Sequence, residues 1–325
     1  MNPSLVGSEM CIRDRTKTSQ ILSLIFIIPC MVDEYTTKSH RILIVEDDDA
    51  LRELLMDILE NEGYVTNCAP NGSAALEHLQ ENPADLVISD IQMPVMDGWE
   101  FIGILNEKYP QTQKMLITGQ NIDEYMGLIH QYNIGNIITK GIPFNTSEVT
   151  LMAKQILSKE YFGLHNHMGS ECYIEKILIS SPEEIDELSN ALALVYGSNQ
   201  NARKLRTVLV ELLTNALFYG AMNEKGDDKD NWNRRVKLEK MDAIEIHHGR
   251  DDSKIGFSIR DHGGKLTKKT ILYWLNRQLS KNENGLPLGL FDTHGRGLFI
   301  TRKYVDRLIV NVEKAKACEC VILNY

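Results

Sequence analysis

Five short apolar segments alternate with amphipathic stretches between Arg41 and Ser158, and this alternation restricts the possible folds. The first segment is Ile42–Val45, and later ones fall near 65, 85–89, 114–117 and 136–139. Strands buried on both faces of a parallel sheet have continuous apolar sequences, and helical spacing of leucines follows the first of them. We therefore predict an α/β fold, a doubly wound parallel five-stranded sheet with helices on both faces.

The residues that follow these strands are suited to phosphoryl chemistry. Glu46, Asp47, Asp90, Thr118 and Lys140 each stand at the carboxyl end of a predicted strand, where the sites of such sheets form. Three converging carboxylates repel one another unless a cation joins them, and a hard, oxygen-seeking ion such as Mg2+ is the natural partner. In such a cluster an aspartate can attack a phosphoryl group, and a lysine can pair with the phosphate formed.

The motifs ILIVEDD, DLVISDIQMPVMDG, MLITG and ITKGIPF resemble those of the response-regulator receiver family, from about residue 41 to 158. The resemblance implies phosphorylation by an upstream histidine kinase, with Mg2+ as cofactor. It implies these roles: phosphoacceptor Asp90; metal-binding pair Glu46 and Asp47, joined by Asp90 itself and the backbone carbonyl of Gln92; switch hydroxyl Thr118; phosphate-pairing lysine Lys140.

Two positions depart from the pattern of the family. Gly141 and Ile142 separate Lys140 from Pro143, where the family has Lys-Pro directly. Ile137 stands where the family has its switch aromatic. We therefore expect an altered aim for Lys140 and signalling that does not use aromatic-to-hydroxyl coupling.

A second group of motifs follows a short stretch rich in His, Gly and Asn. Residues 171–180 are predicted to form a strand, and Ser181-Pro182 begins a helix. A further helix, 202–219, carries Glu211 and Asn215 four residues apart and so on one face. Residues 255–260 form a strand ending in Asp261-His-Gly-Gly, and the later segment Thr-His-Gly-Arg-Gly-Leu-Phe-Ile opens into a helix. Glycines at such a turn let backbone N–H groups approach phosphates.

Together these motifs resemble the GHKL ATPase superfamily, over roughly residues 171–325. The resemblance implies an α/β sandwich with a Bergerat-type ATP site and a lid at 265–292, in which Trp274, Leu275, Leu286, Leu288 and Leu290 are expected to pack. The first glycine box is shortened, since Asp261-His-Gly-Gly replaces Asp-x-Gly-x-Gly. The implied roles are: Mg2+ ligand between the phosphates, Asn215; general base or metal-shell residue, Glu211; adenine contact, Asp261; space for the base, Gly263; phosphate contacts, Gly295, Arg296 and Gly297.

The compact strand–helix–helix beginning and the HGRGLFI box look most like the anti-sigma-factor serine/threonine kinase branch. That resemblance implies an ATP-dependent protein kinase in partner switching, acting with an anti-sigma-factor antagonist or a sigma-like protein. Two alternatives stay open: a non-catalytic ATP-dependent protein-binding module, and an atypical histidine kinase with an attached receiver. His165 and His167 are better interpreted as polar loop residues than as phosphoacceptors. A homodimer is also possible.

Composition narrows the other possibilities. The net charge of −10 argues against a nucleic-acid-binding surface. The six scattered cysteines are interpreted as buried free thiols in a reducing compartment. The apolar run at 21–29 is too short to span a membrane, and we expect a cytoplasmic protein.

The expected organisation has four parts. Residues 1–30 form a leader that is non-native or disordered, since SLVGSEMCIRDR resembles translated adapter sequence and Met31 is a suitable start. A receiver domain follows at 38–160, then a linker at 161–169 and an ATP-binding domain at 170–325.

Overall fold

The computed structural model describes residues 26–27, 40–141, 144–222, 237–281, 283–285, 288–289, 296–313 and 315–325. Two sheets organise these residues. We call residues 40–158 the first domain and residues 170–325 the second domain. Of the expected leader, Phe26–Ile27 is described: it forms the two-residue strand β1, antiparallel to a strand of the second domain. The rest of the leader lies outside the described residues.

The first domain has the predicted doubly wound sheet. All of its strand pairs are parallel, in the order β3-β2-β4-β5-β6. Alternate strand residues face opposite cores, so Leu43 and Val87 lie on one side of the sheet and Ile42 and Ile88 on the other. The strands are β2 (Arg41–Val45), β3 (Val65–Ala69), β4 (Leu86–Asp90), β5 (Gln113–Thr118) and β6 (Ile137–Thr139).

Side-chain caps fix the starts of several helices in this domain. The side chain of Asn71 accepts a hydrogen bond from the N–H of Ala74 at 3.0 Å and so caps the helix that follows it. Asn121 caps a 3-10 turn, Ile122–Tyr125, and an α-helix begins directly after this turn at Met126. The α-helices are α1 (Asp49–Asn61), α2 (Gly72–Glu81), α3 (Gly98–Lys108), α4 (Met126–Tyr132) and α5 (Thr146–Ser158).

The second domain has an antiparallel sheet with helices on one face. The strand order is β1-β7-β8-β9-β11-β10, and every pair is antiparallel. Strands β7 and β9 fall where the sequence indicated strands. The strands are β7 (Tyr173–Ile179), β8 (Ile244–Arg250), β9 (Ile255–Asp261), β10 (Arg307–Glu313) and β11 (Ala317–Asn324).

The helices of the second domain cover one sheet face and enclose its main core. The helix expected at 202–219 begins at Asn199 and changes at Asn215 into a π-helical segment, Asn215–Ala221. Among the described residues, no helix combines the length and apolarity needed to cross a membrane. The helices are α6 (Glu183–Tyr196), α7 (Asn199–Thr214), α8 (Lys268–Leu279) and α9 (Arg296–Tyr304).

The segment between the domains is anchored to the second sheet. Its 3-10 turn, Leu164–His167, packs Leu164 on the sheet face opposite the main core. The N–H of Gly163 donates to the buried carboxylate of Glu319 and is shared between its two oxygens, at 3.0 and 2.9 Å. His165 is exposed but His167 is buried, so His167 is not a solvated loop residue.

The cysteines are free where the structure describes them, but they are not uniformly buried. Cys172 and Cys318 are buried and Cys320 is partly buried, as expected for apolar thiols. Cys68 is exposed, so the expectation of burial is wrong there, because its strand β3 is at the edge of the sheet. Cys11 and Cys30 lie outside the described residues.

The two domains contact each other through helices. Helix α4 lies against helix α8. Leu272 of α8 is buried in the core cluster of the first domain, and Leu275 contacts the cores of both domains. Ion pairs flank this contact: Asp123 with Arg302, and Glu148 with Arg307. The second domain therefore meets the first along the face formed by α4 and α5.

Candidate functional site

Asp90 is held at the end of β4 by the loop that follows it. Its Oδ1 accepts a hydrogen bond from the N–H of Ile91 at 2.7 Å, and the side chain is 7% exposed. The loop folds back so closely that a Cβ atom on Gly98 would lie 2.2 Å from the backbone oxygen of Asp90. Glycine is therefore required at position 98, and the loop fixes the direction of the Asp90 carboxylate.

Three carboxylates meet at this edge of the sheet. Oxygen atoms of Glu46, Asp47 and Asp90 lie within 4.8 Å of one another. Glu46 and Asp90 are buried, whereas Asp47 is exposed and opens the cluster to solvent. Burial raises the pKa of Glu46; the hydrogen bond from Lys140 lowers it, and the charge of Asp90 raises it again, leaving the pKa above its usual value.

Lys140 bridges the two buried carboxylates. Its Nζ lies 2.9 Å from Oε2 of Glu46 and 3.0 Å from Oδ2 of Asp90. Burial lowers the pKa of this amine, but the bonds and charges from the two acids prevail, so the pKa is raised and the side chain stays cationic. The separation of Lys140 from the following proline does not keep its amine from the acceptor. Ile142 and Pro143 lie outside the described residues.

The donor set fits a divalent metal ion. Three carboxylates and one ammonium leave two negative charges, which one divalent cation would neutralise. Oxygen ligands from one or two carboxylates, completed by water, are the usual environment of Mg2+. Exposed Asp47 provides access, and Gln92, two residues after Asp90 on the loop that follows β4, is also exposed.

Thr118 ends β5 beside this cluster. It is 1% exposed, its backbone oxygen accepts from the N–H of Lys140 at 2.6 Å, and its Oγ1 accepts from the N–H of Gln120 at 3.1 Å. Accepting that bond leaves the hydroxyl its own proton to donate. Thr118 is thus hydrogen-bonded both to Lys140, directly after β6, and to Gln120 in the loop that leads to α4.

A cleft of about 470 Å3 opens next to the acceptor. It is lined by Asp47 and by the loop after Asp90, and two aromatic residues complete it, Trp99 and Tyr125. The sequence motifs did not indicate that these two aromatic residues line the cleft. Tyr125 lies outside the motifs and reaches the cleft through the 3-10 turn Ile122–Tyr125. The cleft lining is Asp47, Ile91, Gln92, Met93, Pro94, Asp97, Trp99 and Tyr125.

In the second domain, the start of α9 meets the polar face of α7. A Cβ atom on Gly297 would lie 2.7 Å from Oε2 of Glu211 and 3.2 Å from Nδ2 of Asn215. A side chain at this position would displace the ends of both polar side chains, so Gly297 permits the close approach of α9 to Glu211 and Asn215. Arg296 is the first residue of α9, and Gly295 lies outside the described residues.

Asp261 and Gly263 lie against the C-terminal end of the π-helical segment Asn215–Ala221, which begins with Asn215. A Cβ atom on Gly220 would lie 2.4 Å from Cγ of Asp261, and one on Gly263 would lie 1.8 Å from the backbone oxygen of Gly220. Burial raises the pKa of Asp261 to about 6, although its carboxylate accepts from the N–H of Gly263 at 3.1 Å. Gly263 thus permits close backbone packing here, in addition to any space it gives a ligand.

The comparisons with known proteins concern the first domain. Residues 42–154 match the family described as response regulator receiver domain. The regulatory protein AtoC of Escherichia coli is 28% identical over 203 residues, which are 58% of this chain and 42% of AtoC. The receiver protein CpdR of Brucella abortus is 44% identical over 79 residues, 24% of this chain and 66% of CpdR.

The chain therefore spans less than two thirds of these curated relatives. Among solved structures, the response regulator TrrA of Thermotoga maritima, in complex with Mg2+ and BeF, is 33% identical. That alignment covers 36% of this chain and 99% of TrrA, with a TM-score of 0.33. From the family match and the acid cluster we conclude that residues 42–154 are a response regulator receiver domain.

Proposed function

We propose that Asp90 accepts a phosphoryl group from an upstream histidine kinase and thereby controls an ATP-binding second domain of the GHKL type. Within that superfamily, the proposed likeness is to anti-sigma-factor serine/threonine kinases. The observation that carries the first half is the position of Lys140, whose Nζ lies 3.0 Å from the Asp90 carboxylate. The acceptor, its cationic partner and a Mg2+-compatible donor set are thus in one place.

In phosphoryl transfer the protein contributes mainly by positioning the reacting groups and by stabilising charge. One carboxylate oxygen of Asp90 forms a bond to phosphorus as the P–N bond of a phosphohistidine breaks. The donor imidazole keeps that electron pair and takes a proton from solvent. Bound Mg2+, held by Glu46, Asp47 and Asp90, would neutralise charge on the transferring group. Lys140 pairs with the new phosphate and Thr118 donates its hydroxyl proton to it.

The meeting of Gly297 with Glu211 and Asn215 supports an ATP site in the second domain. The first N–H groups of a helix lack partners within the helix and favour anions, phosphates above all. At α9 they start beside the carboxylate of Glu211, which can act as general base, and the side-chain amide of Asn215, whose oxygen can bind Mg2+. The buried carboxylate of Asp261 suits an amino-group donor such as adenine.

We further propose that this domain transfers phosphate from ATP to a serine or threonine of an anti-sigma-factor antagonist. An ATP-dependent binding module without catalysis is the rival proposal. Histidine autophosphorylation is disfavoured, because His167 is buried and His165 lies in a four-residue 3-10 turn. A transfer to histidine needs an accessible imidazole on an element that can dock at the ATP site.

The first test concerns Asp90 and uses the whole chain with acetyl phosphate and Mg2+. Mass spectrometry should find an acyl phosphate on Asp90 that is absent from Asp90→Asn and from samples in EDTA. Asp85→Asn is the matched control, since Asp85 precedes the same strand but stands at its opposite end. An adduct that survives Asp90→Asn would contradict the proposal.

The second test concerns ATP. Calorimetry should show binding of ATP with Mg2+ that Asn215→Ala and Asp261→Ala each weaken. Labelled ATP and a candidate antagonist then separate the two classes. Transfer lost in Glu211→Ala supports the kinase, whereas antagonist binding without transfer, unchanged in Glu211→Ala, supports the binding module. Absence of ATP binding would refute both.

A further inference from the structure

Tyr125 stands between the acceptor cleft and the second domain. Its ring lines the cleft beside Asp90, and its hydroxyl donates to Oε1 of Gln120. We infer that Tyr125 is a positioning residue that transmits the state of the Asp90 pocket to helices α8 and α9. This inference rests on the proposed function, and it specifies how one domain controls the other.

The route begins at the Thr118 hydroxyl. The backbone N–H of Gln120 donates to Thr118 Oγ1, and the side chain of the same Gln120 accepts from Tyr125. Two bonds therefore join a hydroxyl at the acceptor to an aromatic hydroxyl five residues beyond Gln120. If Thr118 turns to donate to a phosphoryl oxygen, the Gln120 backbone must adjust, and the Tyr125 bond adjusts with it.

Aromatic packing extends this route to α4. The Tyr125 ring lies 5.7 Å from the ring of Trp99, and Trp99 stacks on Tyr132 at 6.0 Å with an interplanar angle of 19°. Trp99 is buried, so we expect a displacement of the Tyr125 ring to disturb its packing with Trp99 and Tyr132. Tyr125 thus provides the aromatic link that Ile137 cannot provide, and it does so from the 3-10 turn rather than from β6.

The route ends in the second domain. Asp123 belongs to the same 3-10 turn as Tyr125 and pairs with Arg302 of α9. Helix α4 directly follows this turn and packs on α8, where Leu272 enters the first domain's core. Helix α9 carries Gly297 against Glu211 and Asn215. A movement of the 3-10 turn is therefore expected to reach the proposed ATP site in two ways, through the ion pair with α9 and through the packing of α4 on α8.

The test measures coupling in the whole chain, with beryllium fluoride and Mg2+ as the probe of the Asp90 pocket. Arg302→Ala removes the ion pair between Arg302 of the second domain and Asp123 of the first. Tyr125→Phe removes only the Tyr125 hydroxyl. Tyr132→Phe is the matched control, since Tyr132 also stacks on Trp99. Probe affinity is measured in each single variant and in Tyr125→Phe combined with Arg302→Ala, and hydrogen exchange of α8 is measured with and without probe.

Coupling between sites is reciprocal, so Arg302→Ala should change probe affinity about fivefold or more in the wild-type background. In the Tyr125→Phe background that change should fall to less than about twofold, because coupling energies are read from such cycles. The probe should alter exchange of α8 in the wild type and in Tyr132→Phe, and not in Tyr125→Phe. Gln120→Ala should behave as Tyr125→Phe does.

Three results would overturn the inference. The first is unchanged probe affinity in Arg302→Ala, the second is an equal change of affinity in both backgrounds, and the third is α8 exchange that responds to the probe in Tyr125→Phe as in the wild type. Each would leave phosphate acceptance at Asp90 intact. Failure of the wild type to bind the probe in an Asp90-dependent manner would instead refute the proposed function, and the inference with it. Unchanged exchange of β4 amides verifies that each variant is folded.

Discussion

Removal of the Lys140 amine should destabilise the first domain in a way that Mg2+ reverses. The variant Lys140→Met keeps most of the side-chain volume and deletes the ammonium. It leaves Glu46 and Asp90, with side chains 2% and 7% exposed, as buried carboxylates without their bridging cation. Loss of one partner of a buried ion pair costs about 3–5 kcal/mol.

Coulomb's law gives a similar magnitude. Carboxylate oxygens of the cluster lie within 4.8 Å of one another, and at an effective dielectric constant of about 20 two unit charges at that separation repel by roughly 3.5 kcal/mol. Lys140 now offsets this repulsion, and so would a divalent cation. Ligand binding to the folded state at about 100 times Kd adds roughly 2.7 kcal/mol. Mg2+ should therefore restore most of the loss in Lys140→Met and add less to the wild type.

Native-state hydrogen exchange of the β4 amides measures this effect for the first domain alone. In EDTA, protection should fall by roughly two to four powers of ten in Lys140→Met, the equivalent of 3–5 kcal/mol. Lys114→Met is the matched control, because Lys114 is also partly buried but its Nζ donates to the backbone oxygen of Tyr109 at 3.0 Å. The Lys114→Met variant should lose about 1 kcal/mol of stability, and this loss should not depend on Mg2+. Equal protection in Lys140→Met and the wild type, with or without Mg2+, would refute this account of the cluster.

Three other substitutions test the framework around the two sites. Gly98→Ala places a Cβ 2.2 Å from the Asp90 backbone oxygen, so it should displace the acceptor loop and reduce acetyl-phosphate labelling more than Gly127→Ala, where nothing lies within 4 Å. Glu319→Ala removes the acceptor shared by the N–H of Gly163, the hydroxyl of Ser258 and the amide of Asn311, and urea denaturation of the second domain should show a loss of stability of about 3 kcal/mol. Glu319→Gln, which keeps one acceptor oxygen, should lose less. Burial and the nearby cations Arg307 and Lys254 lower the pKa of His167 to about 4. The unfolded chain binds a proton near pH 6.5 and the folded chain does not, so stability should fall by about 3 kcal/mol between pH 6.5 and 4. His167→Leu should remove this part of the pH dependence, and an unchanged slope would contradict it.

The sequence predicted the first sheet well because its three central strands, β2, β4 and β5, are largely buried on both faces. Strand β4 has all five residues buried, so its continuous apolar sequence left little ambiguity. The functional residues followed from the same logic, since polar side chains directly after such strands must gather at one edge. The aim of Lys140 was harder to predict, because it depends on the path of the chain around it and not on residue type.

Strand β8 and the β10–β11 hairpin were not predicted, and their sequences explain why. Strand β8 carries Glu245, His247 and His248 within seven residues, which breaks the apolar pattern. Those polar residues find partners only in the assembled sheet: Glu245 pairs with Lys176 of β7, and His248 bonds to the hydroxyl of Tyr196 at 2.8 Å. Tertiary pairing, and not local propensity, makes this segment a strand.

The contact between the domains also could not be predicted from the sequence, because Leu272 looks like an ordinary apolar residue of the predicted lid. Its energetics nevertheless suggest how the proposed control would work. Burying one leucine contributes about 1.5–3 kcal/mol, and the partly exposed Asp123–Arg302 and Glu148–Arg307 pairs contribute about 0–1 kcal/mol each. Together these contacts give about 1.5–5 kcal/mol, a range that overlaps the roughly 1–3 kcal/mol of typical coupling free energies. A complete switch from 1:99 to 99:1 needs about 5.5 kcal/mol. Phosphorylation of Asp90 is therefore expected to shift the second domain between comparably populated states by a moderate factor, so the output should be graded.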